Sequence, residues 1–166
     1  MTNDNGSNDA VVIERTLDAP VNRVWEMWTR PEHFRAWYGP MGASIPSADM
    51  DVRVGGKRLV AMEMQTPNGS MQMWFTGEYL TVDPTSLLVY TESMSDETGR
   101  VVPPTEMGMP DGHPEVTEVV VELTPDGDGT KMVLTHRGVP ADSPGATGWN
   151  IALDKLITHL ADTAGR

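Results

Sequence analysis

The stretch KRLVAMEMQTPNGSMQMWFTGEYLTV, residues 57–82, decides the fold of this chain. Apolar and polar side chains alternate in its two halves, and this period of two is typical of β-strands. Between the halves, Pro67-Asn68-Gly69 predicts a hairpin turn, because Asn-Gly readily adopts the positive φ values that tight hairpins need. The stretch therefore predicts two antiparallel strands, 57–66 and 70–82.

The same period of two continues on both sides of this hairpin. It predicts further strands at residues 11–17, 48–54, 87–94, 115–124 and 130–138. A Pro- and Gly-rich stretch at 95–114 is longer than an ordinary hairpin connection, and long ordered loops often carry function. We expect this loop to lie at the mouth of a binding site, to be mobile, and to order over a bound molecule.

Helical spacing of apolar residues replaces this alternation at three places. Pro20 and Pro31 open two short helices after the first strand, since proline suits the first helical position. A longer helix is predicted from about residue 143 to 163. The apolar positions are Val21, Val24, Trp25 and Trp28 in the first helix, Phe34, Trp37 and Tyr38 in the second, and Trp149, Leu153, Leu156 and Leu160 in the third.

This order of elements predicts the α+β class. An antiparallel sheet with one polar face must bury its other face, and the C-terminal helix is the long element able to cover it. We expect a curved antiparallel sheet of six or seven strands around that helix, as a single domain over residues 10–164. Residues 1–9 are polar and are predicted to be a disordered lead-in. Where the helix cannot fill the curved sheet, a pocket of roughly 300 Å³ or more is expected.

Composition excludes several classes of function. The 166 residues carry a formal net charge of −12 and only 12 Lys and Arg. Nucleic acids and anionic membranes attract clustered basic residues, so neither is an expected partner. No apolar run approaches the roughly 18 residues of a membrane span. There is no Cys, which is compatible with a reducing compartment, and the first residues lack the apolar core of a signal peptide. A cytoplasmic location is therefore expected.

Familiar catalytic motifs are missing from the chain. It has no G-x-S-x-G elbow, no H-E-x-x-H pair, no Walker loop and no G-x-G-x-x-G turn. Its four His residues do not pair at metal-ligand spacing on one predicted element. We therefore expect no catalytic residue, no metal and no cofactor, and a role in binding.

The expected pocket is lined by side chains on the inward phases of the strands and on the apolar face of the last helix. The alternative is that these side chains pack solidly together, since protein interiors are close-packed. The predicted ligand-binding residues are Trp37, Met62, Met64, Met73, Phe75, Tyr90, Glu92, His136, Trp149 and Leu153.

Two of these residues are polar. His136 follows Met132 and Leu134 on one strand phase and is predicted to point inward, where it is either a satisfied core residue or a contact to ligand. Glu92 shares a phase with Leu88 and Tyr90. It faces solvent at that end of the strand, or the strand is bulged there, or, pointing inward, it is a candidate acid or hydrogen-bond donor.

Short motifs in a fixed order resemble the SRPBCC superfamily. Within it, the chain is most similar to the branch named for the activator of the ninety-kilodalton heat-shock protein ATPase, from about residue 11 to 161. The motifs are Asp18-Ala19-Pro20, Trp25, Trp37, Gly55-Gly56, Pro67-Asn68-Gly69, Gly77-Glu78-Tyr79, Leu88-Val89-Tyr90-Thr91, Met107-Gly108-Met109-Pro110, Val116-Thr117-Glu118-Val119 and Gly148-Trp149.

This resemblance implies a helix-grip fold like that of START domains and the birch pollen allergen. It also implies a cavity for a lipid, steroid or polyketide, and in some relatives an aromatic-ring cyclase. We therefore rank noncatalytic binding of a small apolar or aromatic molecule first. A module that modulates a heat-shock ATPase is second. A cyclase- or hydrolase-like enzyme that uses His136, Glu92 or Tyr90 in the same pocket is third.

Overall fold

A computed structural model describes residues 10–107 and 114–163 of the chain. The predictions for residues 1–9, for residue 164 and for the middle of the 95–114 loop lie outside these ranges. The elements are β1 (Ala10–Leu17), α1 (Val21–Thr29), α2 (Pro31–Trp37), β2 (Ser44–Met50), β3 (Lys57–Thr66), β4 (Gly69–Asp83), β5 (Leu87–Ser95), a 3-10 turn (Pro104–Met107), β6 (Thr117–Asp126), β7 (Gly129–Arg137) and α3 (Pro144–Thr163).

The seven strands form one sheet in the order β1-β7-β6-β5-β4-β3-β2, and every neighbouring pair is antiparallel. Strands β2 to β7 follow each other through the sheet as a meander. The first strand then pairs with the last, with Val11 opposite His136 and Leu17 opposite Thr130. The predicted α+β helix-grip fold is therefore confirmed.

The second strand differs from its prediction. It ends at Met50 rather than continuing to residue 54, and Val54 is 69% exposed. A compact turn begins earlier than the alternation suggested, because Asp51 N bonds to Lys57 O and Gly56 N bonds to Arg53 O. A Cβ built at Gly56 would lie 2.0 Å from the carbonyl oxygen of Asp51, so the turn requires glycine there.

The helices cover one face of the sheet. Helix α3 packs against β1 and against α1 and α2, while α1 also reaches β6 and β7. Trp28 and Trp37 meet edge to face with ring centroids 4.8 Å apart, and the Trp37 indole donates to Met27 O. The buried face of α3 consists of Trp149, Ala152, Leu153, Leu156 and Leu160.

The space between sheet and helix is filled unevenly. The inward residues of β6 and β7 are fully buried, whereas those near the β3–β4 turn are partly exposed and Met71 is 48% exposed. Helix α3 begins with the small residues Pro-Gly-Ala-Thr-Gly, residues 144–148, which cannot reach across to that end of the sheet. A concave space is left there. Among the described helices, none is long and apolar enough to cross a membrane.

Candidate functional site

The concave space has two adjoining lobes, of about 370 Å³ and about 320 Å³. The first, which we call the loop lobe, is bordered by Pro104 and Pro114 of the long loop and by Pro140. The second, the methionine lobe, is bordered by Met62, Met64, Met73 and Trp149. The residues that line both lobes are Phe75, Glu92, His136, Val139, Pro144 and Gly145.

The described beginning of the long loop is held by an ordered turn. Asp96 Oδ1 accepts hydrogen bonds from Thr98 N at 2.9 Å, Thr98 Oγ1 at 2.6 Å and Arg100 N at 3.0 Å. The bonds from Thr98 keep the pKa of Asp96 below its ordinary value. A bridge between Ser95 and Val101 closes this turn. The 3-10 turn that contains Pro104 is thereby brought to the edge of the loop lobe.

Glu92 lies where the two lobes meet, and only 8% of its surface is exposed. Its Oε2 accepts a hydrogen bond of 2.9 Å from the Tyr38 hydroxyl and lies 3.8 Å from Arg58 Nη1. Its Oε1 lies 3.9 Å from His136 Nε2 and has no hydrogen-bond partner among the residues described. One carboxylate oxygen is therefore fixed by the protein, while the other borders the lobes.

Arg58 is the buried counter-charge of Glu92 and was not predicted as a site residue. It is 2% exposed, and its guanidinium carbon lies 4.0 Å from the centroid of the Tyr90 ring. Its Nε donates to the Tyr79 hydroxyl at 3.3 Å. Burial opposes the charge of Arg58. The electrostatic interactions with Tyr90, Tyr79 and Glu92 outweigh this effect and raise the pKa of Arg58 above its ordinary value. Arg58 is therefore a permanent buried cation.

Gly77 allows this pairing across the sheet. Gly77 lies opposite Arg58 in the pairing of β3 with β4. In the pairing of β4 with β5, Thr76 lies opposite Ser93, so Gly77 is in the same row as Glu92. A Cβ at Gly77 would lie 1.9 Å from Thr91 O and 3.4 Å from Arg58 Cγ. The close Thr91 carbonyl requires glycine at this position, and the absence of a side chain leaves the row between Arg58 and Glu92 open.

His136 is held by two hydrogen bonds to the protein. The Trp149 indole N–H donates to His136 Nδ1 at 2.9 Å, so that nitrogen is the acceptor. Burial lowers the pKa of His136, against the opposing effect of Glu92. The ring is therefore neutral, with its proton on Nε2. This N–H donates to Thr117 Oγ1 at 2.8 Å, and the Thr117 hydroxyl donates to the Glu92 backbone oxygen at 3.1 Å.

Tyr38 is the second unpredicted polar member of the site, since it was assigned only to the apolar face of its helix. Burial first, and the nearby charge of Glu92 second, raise its pKa well above the ordinary value. The hydroxyl therefore stays protonated and serves as a donor to Glu92. Lys155 Nζ donates to Pro40 O at 3.2 Å and so ties α3 to the connection after Tyr38.

The structure brings most of the predicted site residues to the lobes. Seven of the ten line one or both, namely Met62, Met64, Met73, Phe75, Glu92, His136 and Trp149. The other three, Trp37, Tyr90 and Leu153, are fully buried in the core and border neither lobe. Trp28 of α1 packs against Trp37, and the Arg58 side chain lies over the Tyr90 ring, so a contact of these three residues with a ligand stays a prediction.

The sequence profile of the family described as "Activator of Hsp90 ATPase homolog 1-like protein" matches residues 18–161, which is most of the chain. This chain belongs to that family. Among curated proteins, none matches it.

Solved structures show the same fold for this member of the activator-like family. A protein from Nitrosomonas europaea is 24% identical, with a TM-score of 0.74 over 96% of this chain and 99% of that one. A protein from Arthrobacter aurescens is 23% identical, with a TM-score of 0.71 over 95% and 89%. An AHSA1 protein from Silicibacter pomeroyi is 21% identical, with a TM-score of 0.69 over 92% and 97%. At these identities the likeness concerns the fold alone.

Two polar site residues of this activator-like chain, Arg58 and Tyr38, were not predicted, and the sequence pattern indicated only the first of them. Arg58 shares the phase of Val60 and Met62 on β3, so alternation alone would have turned it inward. A buried cation needs a counter-charge, and Glu92 was already a candidate. Tyr38, by contrast, lies one residue after α2, where the helical spacing no longer fixes the direction of a side chain.

Proposed function

We propose that this protein binds a small apolar or aromatic molecule, without catalysis, in the loop and methionine lobes. The observation that carries the proposal is an apolar wall converging on the carboxylate of Glu92, whose Oε1 has no hydrogen-bond donor among the residues described. Binding sites for small molecules are typically apolar concavities with a few polar groups that orient the ligand.

The composition of the wall supports an adaptable apolar ligand. Three Met side chains and Phe75 form the sheet side of the methionine lobe, and Trp149 faces them from α3. Met side chains adjust their shape at low cost and make favourable contacts with aromatic rings. A ligand that covers this surface removes it from water, which stabilises the complex by about 25 cal/mol for each Å² of apolar surface that is buried.

The polar groups favour binding over acid–base chemistry. Both ring nitrogens of His136 already have partners in Trp149 and Thr117. The Tyr90 hydroxyl is buried away from both lobes. An enzymatic role would need these groups to converge on a substrate within hydrogen-bond distance. A direct contact between His136 and a ligand stays a prediction, and it requires that the ligand displace Thr117.

The test is a fluorescence titration with N-phenyl-1-naphthylamine, an uncharged apolar probe that brightens when it leaves water. The informative variant is Gly148→Leu, because a Cβ at Gly148 meets no atom within 4 Å and this residue borders the methionine lobe. Leucine also has a higher helix propensity than glycine, so α3 is expected to persist. The matched control is Ala161→Leu, on the exposed face of the same helix.

We expect saturable binding to the wild type and to Ala161→Leu, and a loss of at least about tenfold in affinity in Gly148→Leu, about 1.4 kcal/mol. Equal binding by all three proteins would mean that the probe sits elsewhere and would contradict the proposal. If none of them bound the probe, the proposal would fall, and a heat-shock ATPase partner, which rests on the family description, would become the first alternative.

A further inference from the structure

We infer that the ligand is an uncharged molecule with a hydroxyl group on an apolar or aromatic body, and that this hydroxyl donates to Glu92 Oε1. This inference rests on the proposed function and narrows it to one chemical class. It follows from which donors and acceptors the protein has already used around the junction of the two lobes.

Among the residues that the structure describes, the ring donors in the wall are all used inside the protein. The Tyr38 hydroxyl donates to Glu92 Oε2, the Trp149 indole to His136 Nδ1, and His136 Nε2 to Thr117 Oγ1. The Thr117 hydroxyl donates a hydrogen bond to the backbone carbonyl of Glu92. A ligand acceptor such as a ketone or ether therefore finds no free ring donor at this point.

Glu92 Oε1 presents the opposite situation. Glu92 borders both lobes, and its Oε1 lies 3.9 Å from His136 Nε2, beyond hydrogen-bond distance. A carboxylate oxygen can only accept a hydrogen bond. Unlike the buried Tyr90 hydroxyl, this oxygen is open to the lobes, and a ligand that excludes water from it without replacing the lost hydrogen bond would leave it unpaired, which costs free energy. The ligand must therefore supply the proton.

The charge balance of the site selects an uncharged donor. The carboxylate of Glu92 is balanced by the buried guanidinium of Arg58 at 3.8 Å. A ligand carboxylate would put a second negative charge beside Glu92 in an apolar surrounding, and an ammonium group would add an unbalanced positive one. Both are costly where water is scarce. A hydroxyl adds the missing donor and no charge.

The experiment compares four naphthalene compounds that differ only in the group at position 2. These are 2-naphthol, 2-methoxynaphthalene, 2-naphthoate and 2-(aminomethyl)naphthalene, each titrated calorimetrically into the full chain near pH 7. The naphthol and the ether share an apolar body, so their ratio isolates the donor. We expect the naphthol to bind about tenfold more tightly than the ether and more tightly than either charged compound.

The variant Glu92→Gln sharpens this test, because glutamine keeps the shape and can still accept from Tyr38. It removes the negative charge and leaves Arg58 without its counter-charge. We expect the preference for naphthol over the ether to fall below about threefold and the binding of naphthoate to strengthen. Circular dichroism establishes that the variant is folded, and the wild-type series is decisive by itself if it is not.

The possible results separate the two proposals. If the ether binds as tightly as the naphthol, or if naphthoate or the amine binds more tightly, the hydroxyl inference is wrong while the apolar binding site stands. If none of the four compounds binds and the uncharged fluorescent probe does not bind either, both proposals fail. If the fluorescent probe alone binds, the inference fails and the proposed function remains.

Discussion

Two regions of the same concave face meet the helices differently. On the β6–β7 side, Val119, Val121, Met132 and Leu134 are at most 1% exposed, and α1 packs over them. On the β3–β4 side, Met73 and Phe75 have the same alternating pattern but remain partly exposed and line a cleft. We call these the sealed region and the open region.

The difference lies in what faces the sheet. Helix α1 packs over the sealed region, whereas the open region faces the first turns of α3, which contain Gly145 and Gly148. Glycine has no side chain to fill the distance to the strands. The open region is therefore a property of the helix sequence rather than of the strands below it, since both sides of the sheet carry comparable apolar residues.

The largest effect is expected from a matched pair of truncations. Leu134→Ala removes a fully buried side chain from the sealed region, so it should lower the free energy of unfolding by about 4 kcal/mol. Met73→Ala truncates a partly exposed residue beside the cleft and should cost only about 1 kcal/mol. Urea unfolding followed by circular dichroism measures both values. Equal losses would mean that the open region is as tightly packed as the sealed one.

A second effect is expected where the two regions meet, at the Arg58–Glu92 pair. Arg58→Met leaves the Glu92 carboxylate buried without its counter-charge and should cost about 3 kcal/mol, the lower end for such pairs because Glu92 borders the cleft. The double variant Arg58→Met/Glu92→Leu should recover much of this loss, because a buried ion pair can be replaced by apolar residues at little cost. A double variant as unstable as the single one would contradict this account.

These differences explain which features could be predicted from the sequence. Alternation predicted the hairpin of β3 and β4 and the inward phases, because every second side chain of a strand points to the same face of the sheet. It could not separate lining residues from core residues. Tyr90 and Phe75 have similar patterns, yet one lies under Arg58 and the other beside the cleft.

The end of β2 shows a second limit of the sequence. Val52 and Val54 continue the alternation, but the close approach of Gly56 to Asp51 O ends the strand earlier. Such a turn depends on hydrogen bonds of the backbone, and the apolar pattern carries no trace of them. The direction of Tyr38, just beyond the end of α2, was undetermined for the same reason.

The smallest effect tests how dry the boundary between the regions is, through the pH dependence of stability. Burial lowers the pKa of His136 in the folded protein below its ordinary value of 6.5, so the unfolded chain takes up the proton first as the pH falls. Its contribution to stability is therefore complete above about pH 6.5 and declines in acid.

The measurement is the urea midpoint between about pH 7.5 and about pH 5 for wild type and for His136→Phe. The two proteins differ only at this position, so the difference between the two curves reports on His136. We expect the wild type to lose more stability in acid than the variant. Parallel curves would indicate that water from the lobes solvates the ring as well as it does in the unfolded chain.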